Sequence, residues 1–344
     1  MDLFSSLGDW YVDNLSTFWV IPLLLFILAS IVLATTYAST GDVIYRDLSL
    51  QGGVSLTALD TAADQEQVET SLQSAYPNQD INVRTLTELG NPIGLIIEAD
   101  ILPEEESLLD EFTAEISSLT DVSEDDISID SVGASLGQQF FEQTMKAMWA
   151  AFLFMGACVF YYFGDSLKRK IGTAVTSLIT AFLVMASNNA ISLIIAAAIT
   201  IALLIVYTRH SVPSIAVILA AFSDILITVA ILTFFEIKLG TASIAGLLML
   251  IGYSVDTDIL LSTRLVKEGD AENSYEDRVK NAFLTGTTMT VTTLSAITVT
   301  YLIAQSQTLR QIMLVLIVGL IVDLINTWLQ NASILDIHRH WSTT

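Results

Sequence analysis

The chain has 344 residues, of which 53% are hydrophobic and only 15% are charged, and its formal net charge is −23. Soluble globular proteins contain about 25% charged residues, so this composition argues against an ordinary soluble globule. Residues 42–141 hold 21 acidic side chains against two basic ones, Arg46 and Arg84, and the rest of the chain is apolar and nearly neutral. A surface this acidic repels phosphate, which excludes nucleic-acid binding as the main activity.

Residues suited to covalent or metal chemistry are few. The single cysteine, Cys158, lies in an apolar run and cannot form a disulfide framework or a thiolate metal site by itself. The three histidines lack the HExxH spacing of zinc hydrolases, and the sequence has no GxxxxGK(S/T) loop to bind a nucleotide phosphate. The sequence therefore predicts no enzyme active site, no metal site and no organic cofactor.

Long apolar segments dominate the chain. A membrane-spanning helix needs about 20 mostly apolar residues, and eight segments approach or meet that length. The first has no basic residues before it and no clear cleavage site after it, so we expect a retained anchor and not a signal peptide. The third and fourth are short, and they either cross the membrane or form a re-entrant hairpin. The eight segments are 17–37, 144–163, 171–187, 190–208, 212–235, 239–263, 281–303 and 309–331.

Basic residues indicate how these segments are oriented. Most of them fall on one side of the membrane, which the positive-inside rule assigns to the cytoplasm. Both termini are then expected in the cytoplasm and residues 39–142 outside it. Lys238 and Arg310 are exceptions at the outer ends of spans, where long side chains can reach the interface. The residues on the cytoplasmic side are Lys168, Arg169, Lys170, Arg209, Arg264, Lys267, Arg278, Lys280 and Arg339.

The acidic segment has the pattern of a small α+β domain. Its order of predicted elements is βαββαβ, which is the order of a ferredoxin-like unit. Its acidity indicates either a solvated surface adapted to high salt or a site for cations or basic peptides. The predicted elements are a strand from Leu48 to Leu59 with a break at Gly52-Gly53, a helix at 61–76, strands at 81–89 and 93–99 around the turn Gly90-Asn91-Pro92, a helix from Pro103, and a strand at 127–132.

The predicted architecture is an α-helical polytopic membrane protein of about eight transmembrane helices. An α+β ferredoxin-like extracytoplasmic domain is inserted after the first helix. The predicted division comprises 1–38 (cytoplasmic N-terminus and first helix), 39–142 (acidic extracytoplasmic domain), 143–164 (second helix), 165–211 (transmembrane hairpin) and 212–344 (core bundle and cytoplasmic C-terminus).

Four acidic residues lie within apolar spans: Asp224, Asp256, Asp258 and Asp323. Carboxylates are costly inside a membrane, so each is a functional candidate, although a buried carboxyl can also serve only helix packing. At a rise of 1.5 Å per residue, Asp224 lies about 18 Å from the cytoplasmic start of its span, and Asp256 and Asp323 lie about 12 Å from the cytoplasmic ends of theirs. Three helices can therefore bring carboxyl groups together on the cytoplasmic side of the midplane.

The two acids of the sixth span cannot both face one cavity. Asp256 and Asp258 are two residues apart, which separates their side chains by about 200° on a regular helix. We expect Asp224 and Asp256 to bind the ion, with Asp323 in support. Asp258 would then pair with Arg264 or with a neighbouring subunit.

Other polar residues of the bundle have two interpretations each. Arg264 lies at the cytoplasmic end of its span, where it is either a charge partner or a snorkelling anchor. Thr285, Thr288 and Thr292 form a stripe of hydroxyl groups at helical spacing in the seventh span. Such a stripe indicates either close helix packing or a polar path for ions.

Four sequence blocks stand out: VPSIAVILAAFSDI at 212–225, LGTASIAGLLMLIGYSVDTDILLSTR at 239–264, GGVSL at 52–56 and DLINTWL at 323–329. Together they resemble the archaeal form of the SecF family of protein-export membrane proteins. The resemblance covers nearly the whole chain, and IGYSVD is its most specific part.

This resemblance implies a fold similar to that of resistance-nodulation-division exporters, with one span, an extracytoplasmic ferredoxin-like domain and five further spans. It implies a role in protein export with SecD, beside the Sec translocon and on translocating preproteins, driven by a proton or sodium gradient. Residues 165–211 depart from the family plan as an inserted hairpin. The basic residue that bacterial relatives carry early in the Thr-rich span is absent here.

Two other functions stay open at this stage: half of a small-molecule exporter of the resistance-nodulation-division type, and a passive scaffold for Sec components. We expect a stable complex with SecD and transient contact with the translocon. We also expect that replacing 168–208 by a loop preserves export, whereas Asp256→Asn abolishes ion coupling.

Overall fold

The computed structural model describes residues 11–12, 14–61, 63–88, 91–103, 105–187, 189–267 and 274–343. Five-residue π-helical segments, Thr263–Lys267 and Thr327–Asn331, directly follow two of its long helices. In chain order the elements are α1 (Val20–Thr40), α2 (Leu48–Gln51), β1 (Gly53–Leu59), α3 (Gln65–Ala75), β2 (Ile81–Glu88), β3 (Asn91–Ala99), α4 (Glu106–Thr120), β4 (Ser128–Val132), α5 (Ala134–Phe163), α6 (Leu167–Ala186), α7 (Ala190–His210), α8 (Val212–Phe234), α9 (Thr241–Ser262), α10 (Tyr275–Ile303), α11 (Gln307–Asn326) and α12 (Ala332–Thr343).

Eight helices in the described part of the chain are long and apolar enough to cross a membrane, and they coincide with the eight predicted spans. The predicted short pair corresponds to α6 and α7, which have 20 and 21 residues. At 1.5 Å per residue each is about 30 Å long, which matches the hydrocarbon thickness of a bilayer. Both helices of the hairpin are therefore long enough to span, and a re-entrant pair is not required.

The acidic segment forms a four-stranded antiparallel sheet in the order β2-β3-β1-β4, with α3 and α4 as its helices. Alternation along the strands places one set of side chains in the core between sheet and helices. Leu56, Val83 and Ile97 of the strands pack there with Leu72 and Phe112 of the helices. The order of strands and helices along the chain is the predicted one. Part of the predicted hairpin turn, residues 89 and 90, lies outside the described residues.

The start of the domain differs from the prediction. Residues 48–51 form the short helix α2, not the first half of a strand, because the Asp47 side chain accepts a hydrogen bond from the Leu48 N–H and caps a helical turn. Gly52 and Gly53 then have φ values of 91° and 138°, which non-glycine residues rarely adopt. A Cβ at Gly52 would lie 2.7 Å from Cα of Ala134, so the chain passes close to α5 at this point.

Helices α8, α9 and α11 form the centre of the bundle. Their facing surfaces carry the largest apolar core, which includes Val217, Leu250 and Leu316. Helix α1 packs on α8 from outside, and the hairpin of α6 and α7 packs against α5 and α8. The helices that carry Asp224, Asp258 and Asp323 are therefore the three that are most enclosed by the rest of the chain.

The sheet domain is tied to the bundle through the loop between α8 and α9. The Leu239 N–H donates to the Tyr45 carbonyl at 2.8 Å, and the Asp47 N–H donates to the Leu239 carbonyl at 3.0 Å. Lys238, expected to snorkel, instead forms an ion pair with Asp80 of the domain at 2.7 Å. The α8–α9 loop and the segment that enters the domain thus form one hydrogen-bonded unit.

Candidate functional site

Three carboxyl groups on three helices meet in the interior of the bundle. Asp224 lies on α8, Asp258 on α9 and Asp323 on α11, and all three side chains are fully buried. They lie close enough together to interact electrostatically. The convergence of carboxyl groups from three spans, expected from their depth in the sequence, is therefore present.

Asp224 is bound from both sides by neutral donors. The Ser254 hydroxyl of α9 donates to its Oδ2 at 2.6 Å, and the Asn326 amide of α11 donates to its Oδ1 at 2.7 Å. These two bonds join α8 to each of the other central helices. Any change in the charge of Asp224 acts directly on both helix contacts.

A single hydroxyl bridges the other two carboxyl groups. Thr327 Oγ1 lies 3.0 Å from Asp258 Oδ1 and 3.1 Å from Asp323 Oδ1. A hydroxyl carries one proton, so it can donate to only one of them at a time. The Thr327 hydroxyl can bond both carboxyl groups at once only when one of them is protonated and donates its proton to the Thr327 oxygen. The Asn331 amide adds a second bond to Asp258 Oδ1, at 2.7 Å.

The sequence of the last span explains why these donors face the acids. Its polar residues are spaced by three and four positions, so they lie on one helical face. The π-helical segment Thr327–Asn331 continues this face, and π-helical turns occur frequently at functional sites. These donors are not among the residues predicted from the sequence, although polar residues at this spacing within an apolar run are a signal for them. The polar face comprises Asp323, Asn326, Thr327, Gln330 and Asn331.

Four oxygen atoms of the cluster have no hydrogen-bond partner among the described residues: Oδ2 of Asp258, Oδ2 of Asp323, and Oδ1 of Asn326 and Asn331. All four are acceptors. Within the described residues, no basic side chain forms a salt bridge with any of the three acids. Three buried carboxylates without a counter-charge are unfavourable, so simultaneous ionisation of all three is disfavoured.

The hydrogen-bond partners of the cluster are hydroxyl and amide groups. Among the described residues, no three His, Cys, Asp or Glu side chains are arranged to hold a metal ion.

The expected orientations of the two acids in α9 are reversed. Asp256 is exposed on the outside of the bundle, and Asp258 is the residue that enters the cluster. The 200° separation on the helix was predicted correctly, but depth alone did not indicate which acid faces inward. Asp258 has its partners in Thr327 and Asn331, whereas Arg264 lies half-buried in the π-helical segment Thr263–Lys267.

The hydroxyl stripe of α10 faces outward. Thr285, Thr288 and Thr292 are exposed, and each hydroxyl donates to the carbonyl four residues earlier in its own helix. These residues do not join the carboxyl cluster.

Comparison with known proteins places these features in one family. The family model for the C-terminal region of the protein export membrane proteins SecD and SecF matches residues 183–341, which include all three buried acids. A protein-export membrane protein SecF from Pyrococcus furiosus is 30% identical over 332 residues, which cover 93% of this chain and 89% of the relative. A SecF from Methanocaldococcus jannaschii is 36% identical over 209 residues, which span 59% of this chain and 57% of that one.

A solved structure shows the same fold. The crystal structure of SecDF from Thermus thermophilus, a translocon-associated membrane protein, superimposes with a TM-score of 0.58 at 17% identity. The match covers 95% of this chain but only 38% of the SecDF chain. With the near full-length match to the Pyrococcus protein, this shows that the chain belongs to the SecF family of protein-export membrane proteins.

Proposed function

We propose that this chain is an accessory subunit of the Sec protein-export machinery, which uses an ion gradient to assist late translocation of preproteins together with SecD. Membership of the SecF family supports the export role. The observation that carries the ion-coupling part is the buried network of Asp224, Asp258 and Asp323 with its amide donors, in which four oxygen atoms have no hydrogen-bond partner among the described residues. The coupling ion is a proton or a sodium ion.

Energy from the gradient is sufficient for such a role. One elementary charge that moves down a potential of 100 mV releases about 2.3 kcal/mol, which changes a two-state equilibrium by more than tenfold. An ion that binds at the cluster changes the charge between α8, α9 and α11. Because Ser254, Asn326 and Thr327 bridge these helices through the carboxyl groups, the preferred helix spacing changes with occupancy.

The loop between α8 and α9 provides a route from the cluster to the sheet domain. Asp224 and Asp258 lie on the two helices that this loop joins, and its Leu239 is bonded to Tyr45 and Asp47. The Gln311 amide of α11 also donates to Asp47 Oδ2, at 3.0 Å. A shift of the three central helices therefore moves the segment that enters the domain.

The domain would act outside the cytoplasm. Helices α1 and α5 flank it, and the basic residues of the chain favour a cytoplasmic location for both termini. Residues 39–142 would then form an extracytoplasmic domain of ferredoxin-like topology, close to the emerging preprotein. Contact with the translocon would be transient, and the lipid membrane surrounds the bundle.

SecD would cover the outward face of α10. This face combines the exposed hydroxyl stripe of Thr285, Thr288 and Thr292 with exposed apolar residues such as Leu284 and Val291. Small and hydroxylated residues allow close approach of a second helix in a membrane. The face thus fits a helical partner better than lipid chains alone.

Export measured in vesicles tests the proposal. Vesicles that contain this chain with its SecD are given an ion gradient, and the rate of preprotein export is compared with that of an Asp224→Asn variant. We expect the variant to assemble with SecD but to lose the response to the gradient. An unchanged gradient-dependent rate would instead support a passive scaffold for Sec components.

A further inference from the structure

A crevice opens between the hairpin and the core bundle, away from the carboxyl cluster. Its volume is about 490 Å³, and three helices line it: α5, α7 and α8. Each contributes residues at spacings of three and four, so each presents one continuous face to the same space. The lining residues used below are Met145, Trp149, Gly156, Thr200, Leu204, Tyr207, Leu219 and Phe222.

The shape of the crevice limits what can fill it. Its lining on α5 extends from Met145 to Gly156, which corresponds to about 16 Å along the helix at a rise of 1.5 Å per residue. The full empty space of the crevice is about 1190 Å³, which gives a cross-section of about 70 Å² over that length. An α-helix is about 10–12 Å in diameter with its side chains, so the crevice is too narrow for a helix. It is wide enough for one hydrocarbon chain that runs along the membrane normal.

The chemistry of the crevice excludes a polar occupant. The few polar groups of its lining bond to the protein itself: Trp149 Nε1 donates to Thr200 Oγ1 at 3.2 Å, and the Tyr207 hydroxyl lies 3.3 Å from Ser177 Oγ. The remaining lining is apolar. Apolar cavities do not retain water, so water does not fill this space.

Hydrocarbon has direct access to the crevice. Leu219 and Phe222 line it and are 43% and 46% exposed, so its mouth opens to the outside of the bundle. At the depth of these spans the surrounding medium is the hydrocarbon of the bilayer. An empty crevice would leave its lining without van der Waals partners on one side, which is unfavourable.

We propose that the crevice binds one hydrocarbon chain of a membrane lipid, which fills the space between the hairpin α6–α7 and the core. The lipid then forms part of the contact through which α7 packs against α5 and α8. This inference does not depend on ion coupling, because no residue of the carboxyl cluster lines the crevice.

Retention of a labelled lipid tests the proposal. The full chain is reconstituted in vesicles of phosphatidylcholine with brominated chains, transferred to a mild detergent and examined by native mass spectrometry. We expect one brominated lipid to remain on each chain and to quench the fluorescence component that Trp149→Phe removes. Leu219→Trp and Leu204→Trp, which fill the crevice, should lower retention at least tenfold. Ile179→Trp on the exposed face of α6 is the matched control and should retain the lipid.

The outcomes separate the proposal from its alternatives. Thermal unfolding first establishes that each variant is folded, and Leu204→Phe replaces a tryptophan variant that is not. A folded wild-type chain that retains no brominated lipid would overturn the proposal. Equal retention in the crevice variants and the control would do so as well, because the lipid would then be bound elsewhere. Loss of the lipid when SecD is bound would also overturn it, because the crevice would then hold no lipid in the complex.

Discussion

At the scale of single residues, the carboxyl cluster depends on neighbours that bring the helices close enough for its hydrogen bonds. Gly286 of α10 is one of them, since a Cβ there would lie 2.6 Å from Trp328 Cζ2 and 3.3 Å from Thr257 Cγ2. Trp328 belongs to the π-helical segment that carries Thr327 and Asn331. The absence of a side chain at Gly286 therefore lets the donors of the cluster reach their acids.

We predict that Gly286→Ala destabilises the folded protein by about 1–3 kcal/mol, the usual cost of forcing extra volume into a packed site. Gly252→Ala in α9 is the control, because nothing lies within 4 Å of a Cβ at that position. The control should be neutral, or stabilising by up to about 1 kcal/mol through helix propensity. Chemical unfolding in detergent measures the change in the free energy of unfolding for both variants. Equal effects of the two substitutions would contradict this account of Gly286.

Much of the cluster was accessible from the sequence, because acidic residues inside apolar spans are rare and their depth follows from counting residues. Asp224 and Asp323 are buried at the site as expected. Which face of α9 turns inward could not be predicted from the sequence, because Asp256 and Asp258 lie within one helical turn of each other and at nearly the same depth in the membrane. Which of them faces inward depends on the rotation of α9 against α11, and that rotation is fixed by packing such as the contact between Gly246 and Val315.

At the scale of elements, we propose that the hairpin α6–α7 is an addition to a bundle that can close without it. Val159 near the end of α5 and Ser214 near the start of α8 are already neighbours, as the Ser214 hydroxyl lies 3.5 Å from the Val159 carbonyl. A short connection could therefore join these two helices directly.

Replacement of residues 168–208 by a short loop should preserve gradient-dependent export and lower the melting temperature in detergent. Export is retained because none of the three buried acids lies in the hairpin, and stability falls because α5 and α8 lose their contacts with it. The vesicle export assay and thermal unfolding are read on the same preparations. A deletion variant that is folded and bound to SecD yet inactive would contradict the peripheral role.

The sheet domain should respond to pH through Glu98 of β3. Burial raises the pKa of Glu98 above its ordinary value, although Arg84, its ion-pair partner, opposes the shift. The folded state therefore holds this proton more tightly than the unfolded chain does. The contribution of Glu98 to stability is fully present at pH values below its pKa in the unfolded chain. It is lost as the pH rises through the higher pKa of the folded state.

Amide hydrogen exchange of β2 and β3 in the full chain measures this effect. Protection factors, which correct for the intrinsic rate at each pH, should decrease as pH rises through that window. In Glu98→Gln the decrease should be smaller, with a remainder from Asp100, whose pKa is also raised by burial. Protection that increases with pH in the wild type would show that the ion pair with Arg84 outweighs burial.

At the scale of the whole molecule, the bundle has an enclosed centre and an exposed periphery. Helices α8, α9 and α11 are largely covered by other parts of the chain, whereas α1, α7 and α10 leave much of their length exposed. The eight spans and the order of strands and helices along the acidic segment were predictable from apolar length and from alternation of apolar residues. The assignment of the inner and outer helices was not, because all of the spans have apolar surfaces and their pairing depends on tertiary contacts.

We predict that Thr288→Phe on the open face of α10 reduces copurification of SecD at least tenfold, since a bulky ring prevents close approach of a second helix. Ile179→Phe on the exposed face of α6 is the control and should leave the complex intact. Purification in mild detergent from cells that express both chains gives the ratio of the two proteins. Recovery of this chain only as a monomer in the wild type would contradict a stable complex with SecD.

In the proposed function, ion coupling depends on the inward acid of α9, Asp258, and a pair of substitutions two residues apart tests this role. Asp258→Asn and Asp256→Asn remove one carboxyl charge each from the same helix, but only Asp258 lies in the buried network. Gradient-driven export is measured in vesicles that contain SecD and either variant at matched amounts of folded complex. We predict that Asp258→Asn abolishes the response to the gradient and that Asp256→Asn exports at a rate close to that of the wild type. A normal response in Asp258→Asn, or loss of the response only in Asp256→Asn, would contradict the assignment of the buried cluster as the coupling site.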